Sequence, residues 1–225
     1  IQPVTKVELQ HTDSPTLMVG SDEQNEVLFR AAKNGQIDFY SSVTNQLLSS
    51  YAIKIPQGST VTSSAKSSPN EQRIALGLSS GEVVVVGIDF NVTYPDNQRL
   101  ITPKVQYLND DPLMINPNGA VYHLAFDYSD SRMSFVFQDQ NGVWNINRQD
   151  GEENMMTEEV EWTAYHSVIE EAPSKSLTPL MTPDHRQLIL PAANKLYVYD
   201  IRDAEAVELL QVIDVTRGGS NVNQV

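Results

Sequence analysis

"SSPNEQRIALGLSSGEVVVVGIDF" spans Ser67–Phe90. Pro69 and Asn70 are turn formers, and Arg73–Leu78 follows as a short, mostly apolar run. Ser80-Gly81 is a hairpin signal, because glycine tolerates positive φ. Glu82–Ile88 is rich in β-branched residues and reads as a buried strand. The stretch therefore predicts two antiparallel strands joined by a tight turn.

The same grammar recurs. Ser21–Ser41 has a polar turn, "EVLFRAA", Asn34-Gly35 and "QIDFYS". Tyr128–Ile146 has a polar turn, "MSFVFQ", Asn141-Gly142 and "VWNI". Thr182–Ile201 has Pro183-Asp184, "QLILPA", Ala193-Asn194 and "LYVYDI", with Asn194 expected at the positive-φ position. Gly35, Gly81, Gly142 and Asn194 are thus predicted structural turns, at spacings of 46, 61 and 52. An inner strand is expected before each hairpin, near residues 16–20, 61–65, 120–127 and 177–182. An outer strand is expected after each, near 46–55, 100–108, 160–169 and 207–215. The segment "EEVEWTAYHSVIEEA" also carries some helical periodicity. Four units of four antiparallel strands result, roughly 11–55, 56–108, 118–169 and 174–215. A repeat near 50 residues with a hairpin in each unit predicts an all-β fold, a β-propeller of four-stranded blades.

At these residues the chain resembles WD40-type propellers. "SPNEQRIALGLSSGEVVVVGID" and "TPDHRQLILPAANKLYVYDI" are similar to the S-P-D-G turn, apolar strand, D-G turn and W-D strand end of those blades. Tyr199-Asp200 stands at the W-D position, Gly87-Ile88-Asp89 replaces it in the second unit, and Asn145-Ile146 in the third. The Gly-His dipeptide of strict repeats is missing. WD40-like rings usually close with about six to eight blades, whereas four units are legible here. "VTKVELQ" (Val4–Gln10) reads as an outer strand of a preceding blade, and the first residue is Ile1, not Met. The chain is accordingly expected to be an incomplete portion of a larger propeller. Its two end units are expected to expose apolar faces bearing Val27 and Phe29 at one end and Leu188, Leu190 and Tyr197 at the other. Such faces would drive self-association of the isolated chain.

Composition bounds the chemistry. No cysteine occurs in 225 residues, which excludes thiol catalysis and cysteine-ligated metals. The formal net charge is −14, from 29 acidic and 15 basic residues. A surface this negative repels nucleic-acid phosphates and anionic membranes. No apolar run approaches the ~20 residues of a membrane span, so membrane attachment would come only from parts outside this chain. His11, His123, His166 and His185 form no metal-binding pattern, and no phosphate-binding or nucleophile-elbow motif is present. "LSSGE" around Ser80 is a hairpin turn. The acidic set Asp150, Glu152, Glu153, Glu158, Glu159 and Glu161 lacks Ca²⁺-loop spacing and reads as a solvated loop. Trp144 and Trp162 read as packing residues.

The expectation is a non-catalytic binding or assembly domain that needs no cofactor or metal and takes protein partners. "GEVVVVGIDF" and "NKLYVYDIRDAEAVELLQVIDV" resemble the extracytoplasmic propeller carried by some bacterial phosphate-uptake ABC transporter permeases. That resemblance implies a periplasmic location and a partner among the other transporter subunits. Two alternatives stand beside it. One is a lactonase-type or glycan-active propeller enzyme; the other is an intracellular, cytoplasmic WD40-like adaptor. An enzyme of that kind needs carboxylates at the channel, but the expected inner strands offer no Asp or Glu before Asp127.

Overall fold

The computed structural model describes residues 14–67, 72–109, 111–129, 131–153, 160–182, 184 and 186–215. The expected strand Val4–Gln10, the turn residues Pro69, Asn70 and Pro183, and His11, His185, Glu158 and Glu159 lie outside the described residues. Sheet I comprises β1 (Thr16–Ser21), β2 (Val27–Ala32), β3 (Gln36–Ser41) and β4 (Leu47–Ala52). Sheet II comprises β5 (Val61–Lys66), β6 (Arg73–Leu78), β7 (Glu82–Thr93) and β8 (Leu100–Tyr107), and a short β9 (Leu113–Met114) also pairs with β7. Sheet III comprises β10 (Tyr122–Ser129), β11 (Arg132–Gln138), β12 (Trp144–Glu153) and β13 (Val160–Val168). Sheet IV comprises β14 (Leu180–Met181), β15 (Gln187–Ala192), β16 (Lys195–Asp200) and β17 (Glu208–Asp214). The protein is all-β, with four antiparallel sheets whose four main strands follow chain order and no α-helix among the described residues. The segment with helical periodicity is strand instead, because Val160–Val168 pairs along β12 from Glu153 to Asn145.

Consecutive sheets pack face to face. Phe29, Ala31, Ile37 and Phe39 of sheet I share one apolar cluster with Ile74, Leu76, Val84 and Val86 of sheet II. The other face of sheet II, bearing Ala75, Val83 and Val85, meets Phe126, Phe135 and Phe137 of sheet III. The other face of sheet III, bearing Val136, Trp144 and Ile146, meets Leu188, Leu190 and Tyr199 of sheet IV. Side chains alternate across a strand, so a strand covered on both faces is apolar at every position. That is why the run Val83–Val86 is uninterrupted: Val84 and Val86 point to sheet I, and Val83 and Val85 to sheet III. Outer strands obey the opposite rule. In β4 five of six residues are exposed, and β13 is exposed at most positions.

This packing corrects the expected end faces. Val27 and Phe29 lie in the cluster between sheets I and II, and Leu188, Leu190 and Tyr197 pack between sheets III and IV. The opposite faces of the two end sheets carry the alternate residues, of which Arg30, Asp38 and Val198 are buried as well. In sheet I they include Arg30 and Asp38, paired across β2 and β3. In sheet IV they include Ile189 and Val198, paired across β15 and β16. The expectation placed these strands one residue out of parity, and one residue exchanges the two faces of a strand. Among the described residues, no apolar cluster joins sheet IV to sheet I.

The hairpins at Gly35, Gly81 and Gly142 share one geometry. Each glycine donates its N–H to the carbonyl three residues back, at Ala32, Leu78 and Asp139, and has φ of +87°, +90° and +80°. The fourth hairpin departs from them. It is one residue shorter, with Ala192 paired to Lys195, and the left-handed residue is Ala193 (φ +51°) rather than Asn194. Gly81 also carries a tertiary contact. Its carbonyl accepts the N–H groups of Ile115 (3.2 Å) and Asn116 (3.0 Å), docking the proline-containing segment that leads to sheet III. A Cβ at Gly81 would overlap the Asn116 carbonyl oxygen, whereas at Gly142 the nearest atom lies 3.5 Å away. Gly81→Ala is therefore expected to cost about 3 kcal/mol or more, from backbone strain plus overlap. Gly142→Ala is expected to cost about 1 kcal/mol, from strain alone. Urea unfolding of both variants reads the difference, and equal losses would contradict this assignment.

Candidate functional site

The first strands of the four sheets come together. β1 lies beside β5, β5 beside β10, and β10 beside β14. The three longer ones each begin with a register shift, at Thr16/Met18, Val61/Ser63 and Tyr122/Ala125. Such bulges twist a strand and redirect its side chains. In β5 the result is a polar weld between sheets: Thr62 Oγ1 (2.6 Å) and Ser63 Oγ (2.7 Å) both donate to the Val121 carbonyl, just before β10.

Between these strands runs a cleft made of two neighbouring cavities that share lining residues. The larger, about 420 Å³, is lined by Leu17, Lys66, Phe126, Asp127 and Leu180, among others from all four sheets. The smaller, about 290 Å³, is lined by Ser63, Tyr122 and His123 among others. Lys33, Ser64, Leu124 and Thr178 line both. Asp127 is the one carboxylate among the described lining residues, and it is 6% exposed. His123 is exposed at the cleft, with φ of +47° and its ring 6.2 Å from that of Trp144. A non-glycine residue held in the left-handed region costs energy and recurs at functional sites.

The other residues singled out in the sequence are dispersed. His166 is exposed on β13, at the opposite edge of sheet III from His123 on β10. Ser80 Oγ donates to Glu82 Oε2 (2.6 Å) within an exposed turn and has no imidazole partner. Asp150 is engaged by Arg132 (2.7 Å) and Arg148 (3.0 Å). The acidic set is strand rather than the expected loop in its described members: Asp150, Glu152 and Glu153 lie on β12 and Glu161 on β13, because the β12–β13 ladder runs out to Glu153↔Val160, with Glu152 and Glu161 opposite each other. Trp162 is 41% exposed while Trp144 is 1% exposed. Among the described residues no group of three His, Asp or Glu side chains is placed to hold a metal ion. Nor is any helix there long and apolar enough to cross a membrane. Lys33, Ser64, Lys66 and Thr178 had escaped the sequence reading, since a lysine in a turn or at a strand end carries no pattern of its own.

A separate cavity of about 340 Å³ opens between sheets I and II, beside Asp22, Gln72, Arg73 and Arg99. Asp22, Arg73, Asp89 and Arg99 in its wall are already engaged. Asp22 Oδ1 accepts the N–H groups of Glu26 and Val27 (both 2.7 Å), and Oδ2 accepts that of Gln24 (3.0 Å) and the Arg99 guanidinium (3.5 Å). Arg99 reaches Asp22 and Glu26 from the tip of the β7–β8 hairpin, tying sheet II to the β1–β2 turn. No family model matches the chain, and no curated protein matches it.

Asp22 holds that turn, and its charge state can be read. Burial pushes its carboxyl up, but the three backbone donors and Arg99 outweigh burial and hold it below the ordinary 3.8. A carboxyl with a lower value folded than unfolded contributes stability that is fully present above the unfolded value and is lost as pH falls through the folded one. Asp22→Asn is expected to cost about 1–3 kcal/mol at neutral pH by leaving buried donors poorly matched. The gap to the native protein should shrink as pH drops below 3.8. Paired melting curves from pH 7 to pH 2 check this, and a gap constant over that range would contradict it.

Proposed function

We propose that the four sheets are consecutive blades of a WD40-like β-propeller, part of a larger ring, and that the chain is a non-catalytic domain for binding and assembly. One observation carries the reading: the sheets pack face to face in chain order with their first strands side by side around one cleft. In a propeller each blade contributes its first strand to the axis and stacks its faces on its two neighbours. Further blades would stack beyond sheet I at one end and beyond sheet IV at the other. Among the described residues the cleft has one carboxylate, so paired-carboxylate chemistry has no second partner there.

More specifically, the domain is the extracytoplasmic propeller of a phosphate-uptake ABC transporter permease, placed on the periplasmic side, where it docks another transporter subunit. Support for this step comes from the sequence resemblance around Gly81–Phe90 and Asn194–Val215. The contacting elements would be exposed projections such as the β3–β4 turn at Val43 (82% exposed) and the β7–β8 tip at Tyr94 (65% exposed). Photo-crosslinking residues at Val43 and Tyr94, in the intact membrane-borne protein, test the reading. The expected result is an adduct with a second transporter subunit from at least one position. Absence of any adduct, together with lactone or glycoside hydrolysis that Asp127→Asn abolishes, would overturn it in favour of an enzyme.

A further inference from the structure

The cleft reverses the charge balance of the protein around it. The chain has 29 acidic and 15 basic residues (Lys and Arg), yet the described residues lining the two cavities include Lys33 and Lys66 against the single buried Asp127. Every arginine among the described residues is ion-paired with a carboxylate: Arg30, Arg73, Arg99, Arg132, Arg148, Arg186 and Arg202. Lys33 and Lys66 enter no ion pair among those residues, so their ammonium groups are available to a ligand.

The remaining lining adds neutral polar groups. Ser64 of β5 and Thr178, two residues ahead of β14, line both cavities. Lys33 comes from the β2–β3 turn of sheet I and His123 from β10 of sheet III. Sheets II and III, the turn within sheet I and the segment leading into sheet IV thus each bring a polar side chain to the smaller cavity. The hydroxyls of Thr62 and Ser63 are spent on the weld to Val121, which fixes the backbone that carries Ser64. The left-handed backbone at His123 sits inside the β10 bulge, so the strained residue belongs to the cleft and not to a surface turn. Concave sites lined by low-dielectric walls focus the field of the charges they hold. The cavity volumes of about 290 and 420 Å³ suit a small molecule rather than a folded segment.

From this arrangement we infer that the cleft binds a small multivalent oxyanion, held by the Lys33 and Lys66 ammonium groups with Ser64, Thr178 and His123 as polar neighbours. The site lies within one chain, so it stands or falls independently of the transporter assignment and of the number of blades in a ring.

Calorimetric titration of the purified chain with sodium sulfate, and separately with sodium citrate, is the test. Ionic strength is held constant with chloride. Saturable one-to-one binding of either anion is expected; sulfate alone identifies a tetrahedral oxyanion and citrate alone a polycarboxylate. Lys33→Gln and Lys66→Gln should each weaken binding about tenfold, the loss of one charge-assisted contact. Both residues are exposed, so the variants should keep the native melting curve. Lys195→Gln, with the same change of charge at an exposed position on β16, should bind as the native chain does. Absence of saturable binding by both anions would overturn the inference, and so would an equal loss in Lys195→Gln.

Discussion

Each sheet in this protein has two faces that it cannot cover by itself, and everything else follows from how those faces are matched. A four-stranded antiparallel sheet buries its backbone polar groups in its own ladder but leaves two surfaces of side chains. In sheet II both surfaces are apolar, and each is buried only because another sheet lies on it. Full burial of one Val, Leu, Ile or Phe contributes about 1.5–3 kcal/mol, and the three clusters contain dozens of such groups. Rings reinforce the first cluster, where Phe29, Phe39 and Phe90 stand 6.2–6.3 Å apart. The order of sheets in space is therefore the order in sequence, and the first strands are brought side by side as a consequence.

Polar bonds then set the fine geometry. The two hydroxyls of Thr62 and Ser63 on the Val121 carbonyl and Arg99 reaching Asp22 each join one sheet to the next, while the Gly81 carbonyl holding Ile115 and Asn116 fixes the segment that leads from sheet II to sheet III. Trp144 shows both kinds of force together. Its ring fills the cluster between sheets III and IV while its indole N–H donates to the Pro173 carbonyl (3.0 Å) ahead of sheet IV. A buried indole needs such a partner. The cleft lies where residues from all four sheets line one space.

Hairpins were the legible part of the sequence. Turn, strand, glycine and strand recur with enough fidelity that each of the sixteen main strands overlaps its expected place, as Leu100–Tyr107 does against 100–108, but β7 and β12 run on to Thr93 and Glu153, well past the expected Ile88 and Ile146, and β14 shrinks to Leu180–Met181. Parity was not legible. A run such as Val83–Val86 is apolar on both sides and so carries no sign of which residue points to which neighbour. The alternation in Val27–Ala32 was available, but Ala32 and Leu28 on the second face blurred it. Ala193 takes the left-handed position in a two-residue turn whose length, and not its asparagine, decides the geometry. β9 is two residues long and exists only because the Gly81 hairpin holds it. The cleft residues come from four distant segments, and only the packing of sheets brings Lys33, Lys66, His123 and Thr178 together.

Mutual dependence of the sheets is the central claim, and coincidence of unfolding probes tests it most directly. Trp144 is buried between sheets III and IV, whereas Trp162 is largely exposed, so a Trp162→Phe background makes fluorescence a reporter of that one interface. Urea unfolding followed by this fluorescence and by far-ultraviolet circular dichroism should give a single transition with one midpoint, because loss of any inter-sheet cluster strips cover from its neighbours. Two separated midpoints, with the Trp144 signal lost while most strand signal persists, would show that the sheets stand independently and would contradict the account.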